Sequence, residues 1–318
     1  MEQRMVSEME FGLDVGVYGR LAVPHEVLKL ALLAESEGFH SVWLADHVVF
    51  PAKVASNYPY SVDGSFPVPL DEPLLEPIAT MGVLVGSTNR VKIGTAVLVM
   101  PHRNPILLAR MLTTLDVFSN GRIVLGAGVG WMAEEFAALD AFDFARRGKV
   151  TDEYLEIFKA ICAGGEVAYQ GETYRFDPVH SYPASVQRPH PPILVGGTSK
   201  VALRRVVRLA DGWLSVGLRI EALGEHLSVL RRLCQDAARS FDGLHLHHKL
   251  FINIGDAVAA KDGGREPGTG SIGQIIDDFK RIRDLGYQGF IIRYRGEEPG
   301  EQQRQIARFA AEIAPRIA

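Results

Sequence analysis

Cysteine is nearly missing from this chain: two among 318 residues, Cys162 and Cys234. Neither has a partner at metal-ligand spacing, so a disulfide framework and a structural zinc site are both excluded, and a reducing compartment is expected. Charge of one sign is also missing. The formal net charge is −4, which offers no electrostatic footprint for nucleic acid. No apolar run approaches the roughly 20 residues of a membrane span, and the first ten residues (MEQRMVSEME) are too polar for a secretory core. The composition is that of a cytoplasmic globular protein with no membrane partner.

What the sequence does contain is alternation. Short apolar, β-branched runs at 11–16, 41–45, 91–97, 122–127, 193–196, 212–216, 249–254 and 289–294 are each bounded by turn residues. Amphipathic helical patterns lie between and after them, at 24–37, 74–86, 105–118, 149–163, 199–210, 220–240, 271–285 and 301–313. Eight strands and eight helices predict an α/β chain folded as a (β/α)8 TIM barrel, one domain over 1–318. A doubly wound sheet with a second lobe would need a linker or composition break near the middle, and none occurs. Two stretches exceed a minimal barrel, at about 46–72 and 166–192, the second containing a hairpin-like EVAYQGETYRF. Long insertions of this kind at the C-terminal face of a barrel commonly form lids or binding loops.

Several short motifs sit where a barrel keeps its chemistry. Asp46-His47 ends the second strand, a good place for binding and proton exchange because imidazoles as a class titrate near neutrality. The competing reading is a turn-capping Asp46 and an exposed His47. Gly126-Ala-Gly128-Val-Gly130 is neither a dinucleotide fingerprint nor a phosphate loop; it permits close approach of a ligand or of neighbouring backbone. Gly196-Gly197-Thr198-Ser199 runs from the fifth strand into a helix, which suits an anion or, equally, a plain N-cap. His102-Arg103 follows the third strand and is a pocket candidate. His245, His247 and His248 read as a surface cluster, with no third ligand spaced for a metal.

Together, EGFHSVWLADHVVFP, VKIGTAVLVMPHRNPILLARMLTTLDVFSNGRIVLGAGVGW and QRPHPPILVGGTSKVALRRVVRLADGW resemble the luciferase-like monooxygenase superfamily. The likeness is greatest to the branch of probable coenzyme F420-dependent oxidoreductases, and runs from about Phe11 to Trp213. The resemblance implies an oxidoreductase that transfers hydride between reduced F420 and a small organic substrate. An FMN-dependent monooxygenase on the same barrel is the alternative, and a flavin-binding protein without catalysis is the alternative of another class. Carried onto this chain, it implies that Asp46 contacts the deazaflavin and that His47 is the catalytic proton donor. It further implies a non-prolyl cis bond at Ala96–Val97 beneath the ring, with Gly128 and Gly130 at the cofactor. Gly196, Gly197, Thr198 and Ser199 are expected at its phosphate, with Glu134 nearby, although a carboxylate suits a phosphate poorly. Trp131 stands where the sugar-phosphate dehydrogenase branch has a catalytic carboxylate; with His102 it is expected to line the substrate pocket, and its indole speaks against a sugar-phosphate reaction. Family members are commonly dimers packed through the early barrel helices, so a homodimer is expected. The Ser119-Asn-Gly121-Arg122 signature reads as structural, a turn with Arg122 tied to backbone at the barrel bottom.

Overall fold

The computed structural model describes residues 9–59, 61, 64–260, 263–296 and 298–317. The polar opening residues 1–8, and residues 60 and 62–63 of the first insertion, lie outside the described residues.

The strands are β1 (Glu10–Asp14), β2 (Ser41–Leu44), β3 (Lys92–Thr95), β4 (Leu98–Val99), β5 (Ile123–Gly128), β6 (Gly165–Gln170), β7 (Arg175–Ser181), β8 (Ile193–Gly196), β9 (Gly212–Val216), β10 (His245–Ile254), β11 (Thr269–Gly270) and β12 (Gly289–Tyr294). The helices are α1 (Pro24–Ser36), α2 (Pro77–Ser87), α3 (Pro105–Phe118), α4 (Ala133–Ala138), α5 (Arg147–Ala163), α6 (Lys200–Leu209), α7 (Ile220–Asp236), α8 (Ile272–Asp284) and α9 (Pro299–Arg308). Proline opens α1, α2, α3 and α9, where its missing N–H costs no hydrogen bond. Asn104 caps α3 by accepting from the N–H groups of Ile106 and Leu107.

Eight strands pair in parallel in the order β1-β2-β3-β5-β8-β9-β10-β12, and β12 returns to β1, so the sheet closes into a (β/α)8 barrel. Alternation splits the core in two. Trp43, Val124, Leu194, Leu214 and Ile291 fill the barrel, while the outward residues pack beneath the helices. The Trp43 indole needs bare backbone on both sides. A Cβ at Gly94 would lie 2.6 Å from its ring, and one at Gly12 would collide with it as well.

Three expectations shift in detail. The third strand breaks after Thr95 and resumes as β4, and β10 starts four residues early, at His245. His247 and His248 are buried, on opposite faces of β10, instead of forming a surface cluster. His247 packs inside against Trp43, and His248 faces outward, with Nδ1 2.7 Å from the Ser215 hydroxyl. The helical pattern does not reveal α4, a short helix after β5.

Arg122 is tied as its signature suggests, donating to the carbonyls of Val85, Thr88, Ser119 and Val91. The second insertion is a hairpin, β6–β7. It starts at the C-terminal end of α5 and packs outside α3, where Arg110 donates to the carbonyls of Tyr182 and Pro183. It supplies none of the residues that line the cavity at the barrel mouth. Among the described residues no helix is long and apolar enough to cross a membrane.

Candidate active site

The C-terminal ends of the strands surround a cavity of about 220 Å³. Of the expected site residues, the structure brings Asp46, His47, Ala96, Val97, Gly128, Gly130, Trp131, Gly196 and Gly197 to its walls. The first insertion folds across it and contributes Tyr58, Pro59 and Phe66. Rings crowd around His47. Phe66 lies 5.3 Å away and Trp131 6.0 Å away, centroid to centroid, with Tyr18 also at 6.0 Å.

His47 is oriented by a residue that sequence reasoning passed over. Its Nδ1 lies 2.7 Å from Oε2 of Glu135, a buried carboxylate on α4. The other oxygen of Glu135 accepts the N–H groups of Val48 and Val49, at 2.7 and 3.3 Å. One carboxylate therefore holds both the imidazole and the backbone that follows it. Nε2 is left as the ring nitrogen available to the cavity. Glu134, the neighbour of Glu135, is the residue expected near a cofactor phosphate, a separate role. Glu134 accepts from the N–H groups of Ala55 and Ser56 and pins the first insertion. Adjacent positions on a short helix face different ways, and only the one turned inward reaches His47.

Asp46 lines the cavity, but its carboxylate is spoken for. Its oxygens accept two N–H groups of Arg103, at 2.8 and 2.9 Å, and the Val99 N–H at 2.8 Å. Arg103 also donates to Glu76 at 2.7 Å. The guanidinium is held charged despite its burial, because Asp46 and Glu76 outweigh the loss of water. Asp46 thus anchors the segment after β3. His102 stands behind the wall, 3.8 Å from Glu135 and edge-on to Phe136, outside the cavity lining. Burial pushes its imidazole below the ordinary range, against the pull of Glu135 and Asp46.

The glycines have a neighbour of their own. Ala96–Val97 is a cis peptide, and the Val97 side chain projects between β5 and β8. A Cβ at Gly196 would come within 2.9 Å of Val97, and one at Gly128 would overlap it. Their bareness makes room for Val97, which with them forms a smooth, uncharged arc of wall. Gly197 has φ +102° and gives its carbonyl to the Trp213 indole N–H at 2.9 Å. Ser199 caps α6 by accepting from Ala202 N–H. Thr198 turns toward a separate cleft of about 320 Å³ between α6 and α7, away from the strand ends.

The opposite arc is charged, and the motif search did not reach it. Asp14, Lys249 and Arg293 project inward from β1, β10 and β12, and the two cations line the cavity. Burial raises the Asp14 carboxyl, but Lys249 and Arg293 outweigh it and hold the group below the usual carboxylate range. The signal was a charged residue at an inward position of an otherwise apolar strand.

The family model for luciferase-like monooxygenases matches residues 2–300. The chain belongs to that family. An uncharacterized protein of Mycobacterium tuberculosis (strain ATCC 25618 / H37Rv) is 34% identical over 238 residues, 74% of this chain and 81% of that one. An FMNH(2)-dependent dimethylsulfone monooxygenase of Pseudomonas putida is 27% identical over 74% of this chain and 58% of its own length. Among solved structures, an F420-dependent secondary alcohol dehydrogenase in complex with an F420-acetone adduct superposes with a TM-score of 0.80 at 16% identity, covering 98% of this chain and 99% of that one. At that identity the likeness shows a shared fold.

Proposed function

We propose that this luciferase-like chain is an oxidoreductase that uses a flavin-type cofactor, F420 first and FMN as the alternative, on a small organic substrate. The observation that carries the reading is His47, held by Glu135 at the rim of a cavity whose adjoining wall is the smooth arc of Val97, Gly128 and Gly196. A flat ring fits such a wall, since no charged side chain intrudes on it, and the turn at Gly196–Gly197 ahead of α6 suits a phosphate tail. Bound there, F420 supplies or accepts a hydride at its ring carbon. His47 Nε2 gives or takes the matching proton, while Glu135 accepts the Nδ1–H and fixes the tautomer. Phe66, Tyr58 and Trp131 cover the cavity and exclude water. Asp46 acts through Arg103 as a positioning residue. The F420 and FMN enzymes among the related proteins support a cofactor of this class.

The experiment is a parallel titration of the purified chain with F420 and FMN, followed by fluorescence quenching. Micromolar or tighter binding, stronger for F420, is expected. FMN binding alone, with oxygen uptake on reduction, moves the chain to the monooxygenase reading; binding of neither ends the flavin proposal. Binding without turnover on any substrate would favour a non-catalytic flavin carrier. A homodimer is proposed through the exposed apolar side chains of α2 and α3, among them Val83, Leu107 and Phe118, with a light-scattering mass as its check.

A further inference from the structure

Followed around the ring, the mouth of the barrel divides in two. Behind β3, β5 and β8 it presents Val97, Gly128, Gly196 and Gly197, all uncharged. From β10 and β12 it presents Lys249 and Arg293, both paired with the buried Asp14 of β1. His47, which follows β2, stands where the two arcs meet.

The charges of the second arc do not cancel. The Asp14 side chain is fully buried, that of Lys249 is 6% exposed and that of Arg293 14%. The Lys249 ammonium pairs with Asp14 Oδ2, and Arg293 Nη1 reaches that same oxygen at 3.5 Å. Asp14 Oδ1 accepts the Gly16 N–H. Among the described residues two cations therefore share one carboxylate, and one positive charge is left over. Among the described residues, the remaining acidic groups at the mouth are engaged elsewhere: Asp46 with Arg103, and Glu135 with His47. A surplus cation in so sheltered a place is unfavourable unless an anion joins it. Arg293 presents five N–H donors, and its hydrogen bond to Asp14 is a long one. Its guanidinium also lies 5.2 Å from the Tyr18 ring, which belongs to the aromatic group around His47.

We propose that Arg293 and Lys249 receive the anionic head of the substrate, a carboxylate or similarly delocalised oxyanion, while its apolar body lies against Tyr18, Phe66 and Trp131. The substrate class is then organic acids with a flat apolar body. Planar, bidentate recognition of a carboxylate is what a guanidinium does best. This assignment rests on the flavin reading, in which the uncharged arc holds the cofactor and leaves the charged arc to the substrate.

The test uses the full chain, titrated with benzoate and with neutral benzamide by intrinsic fluorescence, both without cofactor and with saturating oxidised F420 or FMN. Benzoate is expected to bind at least about tenfold more tightly than benzamide. Arg293→Gln removes the surplus charge and keeps the Lys249–Asp14 pair. It is expected to weaken benzoate about tenfold, with benzamide and flavin affinities unchanged, and Arg293→Lys to recover part of the loss. Benzoate affinity should be the same in the flavin-loaded protein. Absent benzoate binding, equal affinity for the two probes, unaltered benzoate binding in Arg293→Gln, or competition between benzoate and flavin overturns the proposal. Failure of the flavin reading is seen separately, as an absence of flavin binding while the preference for benzoate persists.

Discussion

His47 and Glu135, 88 positions apart in the chain and both buried, meet at 2.7 Å. A carboxylate in that position selects the Nδ1–H tautomer and fixes the plane of the ring. The same carboxylate also gathers the Val48 and Val49 N–H groups. The loop that carries the imidazole and the imidazole itself are thereby held by one side chain.

Glu135→Gln should accordingly lower turnover by about tenfold to a hundredfold and displace the pH profile of kcat, with KM and flavin affinity nearly unchanged. His47→Ala should lower turnover further, while cofactor binding is largely kept. Steady-state kinetics across pH, beside a flavin titration, checks both. Unaltered turnover in either variant removes that residue from the proton step.

The contact between Gly128 and Val97 makes a second prediction. Gly128→Ala places a methyl group where the Val97 side chain already lies. It should cost about 1–3 kcal/mol of stability and weaken flavin binding. Val97→Ala in the same chain should recover most of the stability. Urea unfolding of the two single variants and the double one measures the coupling, and strict additivity would show that the two positions do not touch.

Arg103 is the only cation among the described contacts of the Asp46 carboxylate. Arg103→Met leaves that buried carboxylate unpaired, at a cost of about 3–5 kcal/mol. Adding Asp46→Asn should restore part of it. A urea midpoint within error of the parent would refute the anchoring role.

The two buried imidazoles of β10 set a pH dependence. Burial pushes His247 down to about 4 and His248 down to about 3, from an ordinary value of 6.5. As pH falls below 6.5 the unfolded chain takes up protons that the folded chain refuses, so stability is lost from 6.5 down to about 4 through His247 and down to about 3 through His248. His248→Leu leaves the Ser215–Tyr287 hydroxyl contact in place and should flatten that fall. Equilibrium unfolding at several pH values decides it; an equally steep fall in the variant would assign the effect elsewhere.

Sequence alone determined the barrel, because strand and helix periods are local properties and eight alternations leave few other ways to bury them. It also marked His47 and the glycine turns, since a strand end and a bare backbone are visible in one dimension. It did not mark Glu135 as the partner of His47, because which face of α4 turns inward depends on how that short helix docks. The charged arc was hidden for the same reason. Asp14 and Arg293 are 279 positions apart. Each is a lone charge in an apolar run until β12 closes against β1 and brings the two together at the barrel mouth. Periodicity assigns a side chain to a face; only closure of the sheet decides which side chains share it.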